Sequence, residues 1–86
     1  MSITSLADQR IEELRHIVAD VLEREPGEID DTADFQRQYD ADSLRAIEIL
    51  SRIEKKYAVE IPQTELPAMQ NLQAVHAIVA RYAGWH

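Results

Sequence analysis

The residues with chemistry to offer meet in the stretch YDADSLRAIEIL, Tyr39 to Leu50, where Ser43 stands between Asp42 and Leu44 as a loop turns into a helix. Two readings compete there. Ser or Asp ahead of an apolar-periodic run is the commonest kind of helix start, because its side-chain oxygen satisfies an orphan backbone N–H. Alternatively, an exposed hydroxyl at a helix N-terminus faces the positive end of the helix dipole. A phosphate ester formed on it would meet free N–H groups, so the position suits a serine that carries a phosphodiester. It does not suit a hydrolytic nucleophile, since no Gly-x-Ser-x-Gly elbow surrounds Ser43. His16, His76 and His86 lie in other segments, so only tertiary proximity could supply a base. His16 and His76 read as helix-flank residues or partners of polar groups.

Other candidate chemistry falls away. The chain has no cysteine, hence no disulfide, thiolate metal site or cysteine nucleophile. Asp30, Thr32 and Asp34 have the spacing of the first ligands of a calcium-binding EF-hand loop. The glycine position of that loop is Phe35, however, and its terminal glutamate position is Ala41, so no metal site is expected. Met69 and Trp85 are isolated and read as core filling and a partly exposed tail.

The elements that must position Ser43 follow from apolar spacing. A first helix is expected from near Ser5 to about Glu23, with Ile11, Leu14, Ile17, Val18, Val21 and Leu22 forming one stripe and Pro26-Gly27 stopping it. Residues 26–42 then read as a long acidic connection anchored by Ile29 and Phe35. A second helix starts at Asp42 or Ser43 and runs to about Tyr57, with Leu44, Ile47, Leu50, Ile53 and Tyr57 assigned to one face and Ile49 broadening it. Val59-Glu60-Ile61-Pro62 reads as an extended link, and residues 63–69 as one short helical turn limited by Pro67. Asn71 caps a last helix carrying Leu72, Val75, Ile78, Val79 and Tyr82, which Gly84 ends. No stretch of useful length alternates with period two. The fold class is therefore all-α, a four-helix bundle of three long helices and one short one, with a long loop between the first two. Leu50, Ile53, Ile61, Leu66, Leu72 and Ile78 are the expected lining of the apolar interior.

Composition bounds the partners. A length of 86 residues makes one domain, residues 1–86, and not two. Apolar residues at 45% are enough for a packed core, so wholesale disorder is not expected. A net charge of −7 argues against nucleic acid, which needs Lys and Arg, and fits a basic partner surface. Eight of the acids lie between Glu23 and Asp42, against two bases. No segment approaches the ~20 apolar residues of a membrane span, and no signal peptide is visible, so a soluble cytoplasmic monomer is the expectation.

On these residues the chain resembles the acyl carrier protein family. DADSLRAIEILSRIEKKYAVEIP looks like the family core, in which Asp-Ser-Leu opens the second helix. The similarity extends over nearly the whole chain: an apolar first helix, an acidic loop with Ile29, Ala33 and Phe35, the Asp42-Ser43-Leu44 motif, Ile47-Glu48, then Glu60-Ile61-Pro62 and the last helix. Asp-Ser-Leu alone is a weak signal; with these helices and Glu-Ile-Pro at this distance it is strong. The resemblance implies that Ser43 is esterified to 4'-phosphopantetheine from coenzyme A by a phosphopantetheinyl transferase, which would make the chain a phosphoprotein. It also implies that the chain is non-catalytic and that its partners are a ketosynthase, an acyltransferase or other acyl-processing enzymes. Asp42 and Leu44 flank the attachment, and Arg45, Ile47, Glu48, Lys55 and Lys56 form the implied partner surface.

The sequence departs from the family pattern in two places. Asp40 stands where a glycine is usual, a change the loop should tolerate because Asp accepts turn and left-handed conformations. The second helix carries Asp42, Glu48 and Glu54 against Arg45, Arg52, Lys55 and Lys56, where fatty-acid carriers resemble an acidic rod. That mixed charge points to a carrier of polyketide or related secondary-metabolite biosynthesis, although such charges can equally be ordinary solvated surface. A housekeeping carrier of fatty-acid synthesis is the alternative. An aminoacyl or D-alanyl carrier fits less well, because Ala41 precedes Asp-Ser-Leu. An unmodified interaction module fits poorly with an intact Ser43.

Overall fold

In the computed structural model, which describes residues 5–85, the chain is built from α1 (Leu6–Leu22), α2 (Phe35–Tyr39), α3 (Ser43–Tyr57) and α4 (Leu72–Ala83), with 3₁₀ segments at Pro26–Glu28 and Gln63–Ala68. The all-α expectation and the three long helices hold. Each long helix begins with a side-chain cap: Ser5 Oγ accepts the Asp8 N–H at 3.1 Å, Asp42 Oδ1 accepts that of Arg45 at 2.9 Å, and Asn71 Oδ1 accepts that of Ala74 at 2.8 Å.

Two expectations about boundaries are corrected. Pro26-Gly27 does not stop α1. The helix ends at Leu22 because Glu23 turns left-handed (φ 57°), and the Glu23 and Arg24 N–H groups close back on the carbonyls of Asp20 and Ala19. Pro26 instead opens the following 3₁₀ turn, where its fixed φ suits the first position. The acidic connection also contains an element the spacing did not predict, the five-residue α2. Asp34 caps it, accepting N–H groups from Gln36 and Arg37 at 2.9 and 3.0 Å, and Asp40 ends it at φ 54°. Asp40 thus adopts the left-handed turn expected of it. Five residues are too few to show a helical period.

The core forms where α1, α3 and α4 face one another, around the fully buried Leu14, Val18, Ile53, Leu72, Val75 and Val79. Ile29 and Phe35 reach it from the connection, as expected. The loop is held from outside as well. Arg15 donates to the Ile29 carbonyl and pairs with Asp31, and the Gln73 N–H donates to the Asp31 carbonyl at 2.9 Å. Tyr39 donates its hydroxyl to the Glu28 carbonyl at 2.7 Å and accepts the Asp30 N–H at 3.1 Å. Of the two carboxylates that mimic a calcium loop, Asp34 is engaged as a cap.

The assigned face of α3 is corrected too. Ile49, Leu50 and Ile53 are buried, whereas Leu44 is 74% and Ile47 39% exposed. A step of three residues falls about 60° short of a turn. Three such steps carry Leu44 to the opposite side of the helix from Ile53.

Candidate functional site

At the start of α3 the cap and Ser43 are separate residues. Asp42, in extended conformation, supplies the cap, while Ser43 is the first helical residue and is exposed. Among the described residues its hydroxyl makes no hydrogen bond. The Ser43 and Leu44 N–H groups belong to the first turn and have no intrahelical acceptor. A hydroxyl free of capping duty therefore stands at the positive end of a 15-residue helix.

Ser43 borders a groove of about 440 Å³. Its walls are α2, the first turn of α3 and the Gln63–Ala68 segment; Phe35, Ala41, Ala46, Leu66 and Met69 give it an apolar lining, while Asp34, Gln36 and Gln70 edge it. The Phe35 N–H donates to the Gln70 carbonyl at 2.8 Å and ties its two sides together. Two larger open grooves, about 740 and 710 Å³, flank α1 among charged side chains and do not border Ser43. Of the six residues expected to line the apolar interior, Leu50, Ile53, Ile61, Leu72 and Ile78 are buried core, and only Leu66 lines the groove. Ala41, Ala46 and Met69 went unrecognised as groove residues. The small Ala46 one helical step after Ser43 was the available signal.

The residues assigned to the partner surface are not equivalent. Leu44 and Ile47 project into solvent beside Ser43. Arg45 is turned back onto α1: its guanidinium donates to the Val21 carbonyl at 2.9 Å, in the last turn of α1, and lies 3.7 Å from Glu23. Glu48 lies 3.7 Å from Arg52, which also pairs with Asp20 of α1. Lys55 and Lys56 are exposed in the last turn of α3, where cations complement the helix dipole, with Lys56 Nζ 5.8 Å from the Tyr57 ring centroid. Two of the four cations on this helix are thus engaged within the molecule.

At the far end of the bundle Tyr57 meets Trp85 edge-on at 4.9 Å, with Arg10 lying 4.4 Å over the Trp85 ring and His76 6.0 Å away. Burial, and then the 2.8 Å hydrogen bond to Glu13, push the Tyr57 phenol well above its ordinary range. His16 borders both α1 grooves, and neither His16 nor His76 borders the groove beside Ser43.

An exposed serine hydroxyl with free first-turn N–H groups and an adjoining, largely apolar groove fits a phosphopantetheine arm. The phosphate would meet the N–H groups, and the groove offers both apolar and amide surface to the pantetheine beyond it. Comparison with known proteins agrees. Residues 12–81 match the family described as "Phosphopantetheine attachment site". "Polyketide-8 synthase acyl carrier protein 1" of Streptomyces avermitilis is 45% identical over 93% of this chain and 95% of its own length. "Acyl carrier protein" of Thermosynechococcus vestitus is 34% identical over 76% of this chain and 80% of its own length. A chain of the solved structure "The ishigamide ketosynthase/chain length factor" superposes with a TM-score of 0.76 at 32% identity, covering 90% of this chain and 97% of that one. With motif, capping pattern and fold in agreement over this span, the chain belongs to the acyl carrier protein family and takes a covalent 4'-phosphopantetheine.

Proposed function

We propose that residues 1–86 form one carrier domain serving polyketide biosynthesis, with Ser43 as its attachment residue. The observation that carries the assignment of Ser43 is the division of labour at the start of α3: Asp42 caps, and Ser43 is left exposed and unbonded. In the modification reaction the Ser43 hydroxyl loses its proton and its oxygen bonds to the phosphorus of coenzyme A that bears the pantetheine, while adenosine 3',5'-bisphosphate leaves. The transferase supplies the base, since among the described residues no histidine borders the groove. The bound group supplies a thiol on which acyl groups travel as thioesters.

The chain itself catalyses nothing. Asp42 holds the first turn of α3 in register, and the N–H groups of Ser43 and Leu44 orient the phosphate. The tether presents the acyl group to each enzyme at an effective concentration on the order of millimolar. Leu44 and Ile47 are the surface an incoming ketosynthase or acyltransferase must cover to reach Ser43. Lys55 and Lys56 are exposed charges at the other end of α3, while Arg45 and Glu48 act mainly within the molecule. A cytoplasmic monomer fits this reading, and no described helix is long and apolar enough to cross a membrane.

Two relatives named as polyketide synthase carriers, at 45% and 41% identity, support the polyketide pathway over fatty-acid synthesis, as does the mixed charge of α3. The test begins by converting the chain with coenzyme A and a promiscuous transferase, followed by intact mass. The loaded carrier is then offered to a polyketide ketosynthase/chain length factor and to a fatty-acid ketosynthase. Faster turnover by the former is expected. Equal turnover with the fatty-acid enzyme, at the rate of a housekeeping carrier, would assign the chain to fatty-acid synthesis.

A further inference from the structure

The Gln63–Ala68 segment forms one wall of the Ser43 groove, and it is weakly secured. It is a 3₁₀ helix interrupted by Pro67, with no buried residue and no side-chain cap. Long 3₁₀ runs have poor hydrogen-bond geometry, so such a segment opens at low cost. It is fixed at its ends: Glu54 accepts the Ile61 N–H at 2.9 Å before it, and buried Met69 anchors it after. Between those points two polar attachments hold it: the Pro67 carbonyl accepts from the Gln70 side-chain amide at 3.1 Å, and Glu65 reaches across to α4. Glu65 accepts the Tyr82 hydroxyl at 2.7 Å and pairs with Arg81, both at the end of α4. The Glu65 side chain is only 19% exposed, against 65% for Arg81 and 39% for Tyr82.

The next two residues, Leu66 and Pro67, line the groove, so latch and groove wall lie on adjoining faces of one short turn. Releasing Glu65 frees the middle of the wall while both of its ends stay anchored. We propose that Glu65, clasped by Arg81 and Tyr82, is a positioning residue that sets how far the Gln63–Ala68 wall stands from Ser43, and so limits the size of acyl group the groove can shelter. The inference rests on the carrier reading above and adds selectivity by acyl size to it. With the latch closed the groove suits short acyl groups. With it released the wall moves outward and a longer chain is shielded.

The test loads acetyl- and octanoyl-pantetheine from the corresponding coenzyme A esters onto the wild type, Glu65→Ala, Glu65→Gln and Tyr82→Phe, and measures thioester cleavage by neutral hydroxylamine. In Glu65→Ala the octanoyl cleavage rate should fall relative to acetyl by a factor of about three or more, the size of shift a modest change in a two-state population produces. Glu65→Gln, which still accepts from Tyr82, should restore most of the wild-type ratio. Tyr82→Phe removes one exposed hydroxyl, leaves the core intact, and should lie between. A purely structural role would speed both cleavages together through local unfolding and leave the ratio alone. That result, or an unchanged ratio in both Glu65→Ala and Tyr82→Phe, overturns the latch. Failure of the wild type to take up either acyl-pantetheine overturns the carrier reading itself, and the latch with it.

Discussion

At its first turn α3 leaves Leu44 and Ile47 in solvent and a hydroxyl without a partner; at its last turn Tyr57 is packed against Trp85 and hydrogen-bonded to Glu13. The two ends of one helix thus have opposite characters. The first is bordered by an open groove and by a 3₁₀ wall with no buried residue. The second is closed by an aromatic cluster that ties α1, α3 and the C-terminal tail together. Between them Ile49, Leu50 and Ile53 hold α3 against the core. A carrier needs this division. The attachment end must be reached by many enzymes, and that demands exposed apolar surface which a domain of this size can carry only if the remainder is well packed.

The largest expected effect lies at the open end and is all-or-none. Wild type should gain one phosphopantetheine and Ser43→Ala none, by intact mass, with unchanged helical circular dichroism because Asp42 holds the cap. Asp42→Ala should instead cost about 0.5–2 kcal/mol of stability, the ordinary worth of such a cap. Modification that persists in Ser43→Ala refutes the assignment.

The middle of the helix sharpens the contrast. Leu50 is 2% exposed, and Leu50→Ala should destabilise by ~2–5 kcal/mol in denaturant titration. Leu44→Ala should cost under ~0.5 kcal/mol, as substitutions of exposed residues do, while slowing ketosynthase turnover. Comparable stability losses at the two positions would show that α3 does not turn Leu50 inward and Leu44 outward.

The closed end should show itself in alkali. Burial and the Glu13 carboxylate raise the Tyr57 phenol above its ordinary 10.0, so the folded state holds that proton more tightly than the unfolded one. The contribution is complete below that ordinary value and is lost as pH rises from it towards the folded-state value. Between about pH 10 and about pH 12 wild type should therefore lose stability more steeply than Tyr57→Phe. Parallel slopes would mean that the Tyr57–Glu13 bond contributes nothing.

The smallest effect concerns the surface charges. Lys55→Glu with Lys56→Glu should improve turnover by a fatty-acid ketosynthase at low salt. The gain should shrink as salt rises, since exposed charges are screened over ~10 Å at 0.1 M. Arg45 is left out of this variant because its substitution would also orphan the Val21 carbonyl. No change at low salt would make these lysines ordinary solvated surface.

What the sequence determined by itself was the order of the three long helices and their starts. Helix starts are local: Ser5, Asp42 and Asn71 act on N–H groups two or three residues ahead, so their roles could be read directly. The Asp42-Ser43-Leu44 motif was legible for the same reason, as was the left-handed tolerance of Asp40. Tertiary structure decided the rest. Whether Leu44 faces core or solvent depends on where α1 and α4 lie, because the apolar residues of α3 occupy most of its circumference. The end of α1 at Glu23 depends on backbone closure and not on a glycine or proline. The engagement of Arg45 with Val21, and the groove assembled from Phe35, Ala46, Leu66 and Met69, join residues far apart in the chain. No local spacing encodes contacts of that kind, since they exist only once the helices have packed.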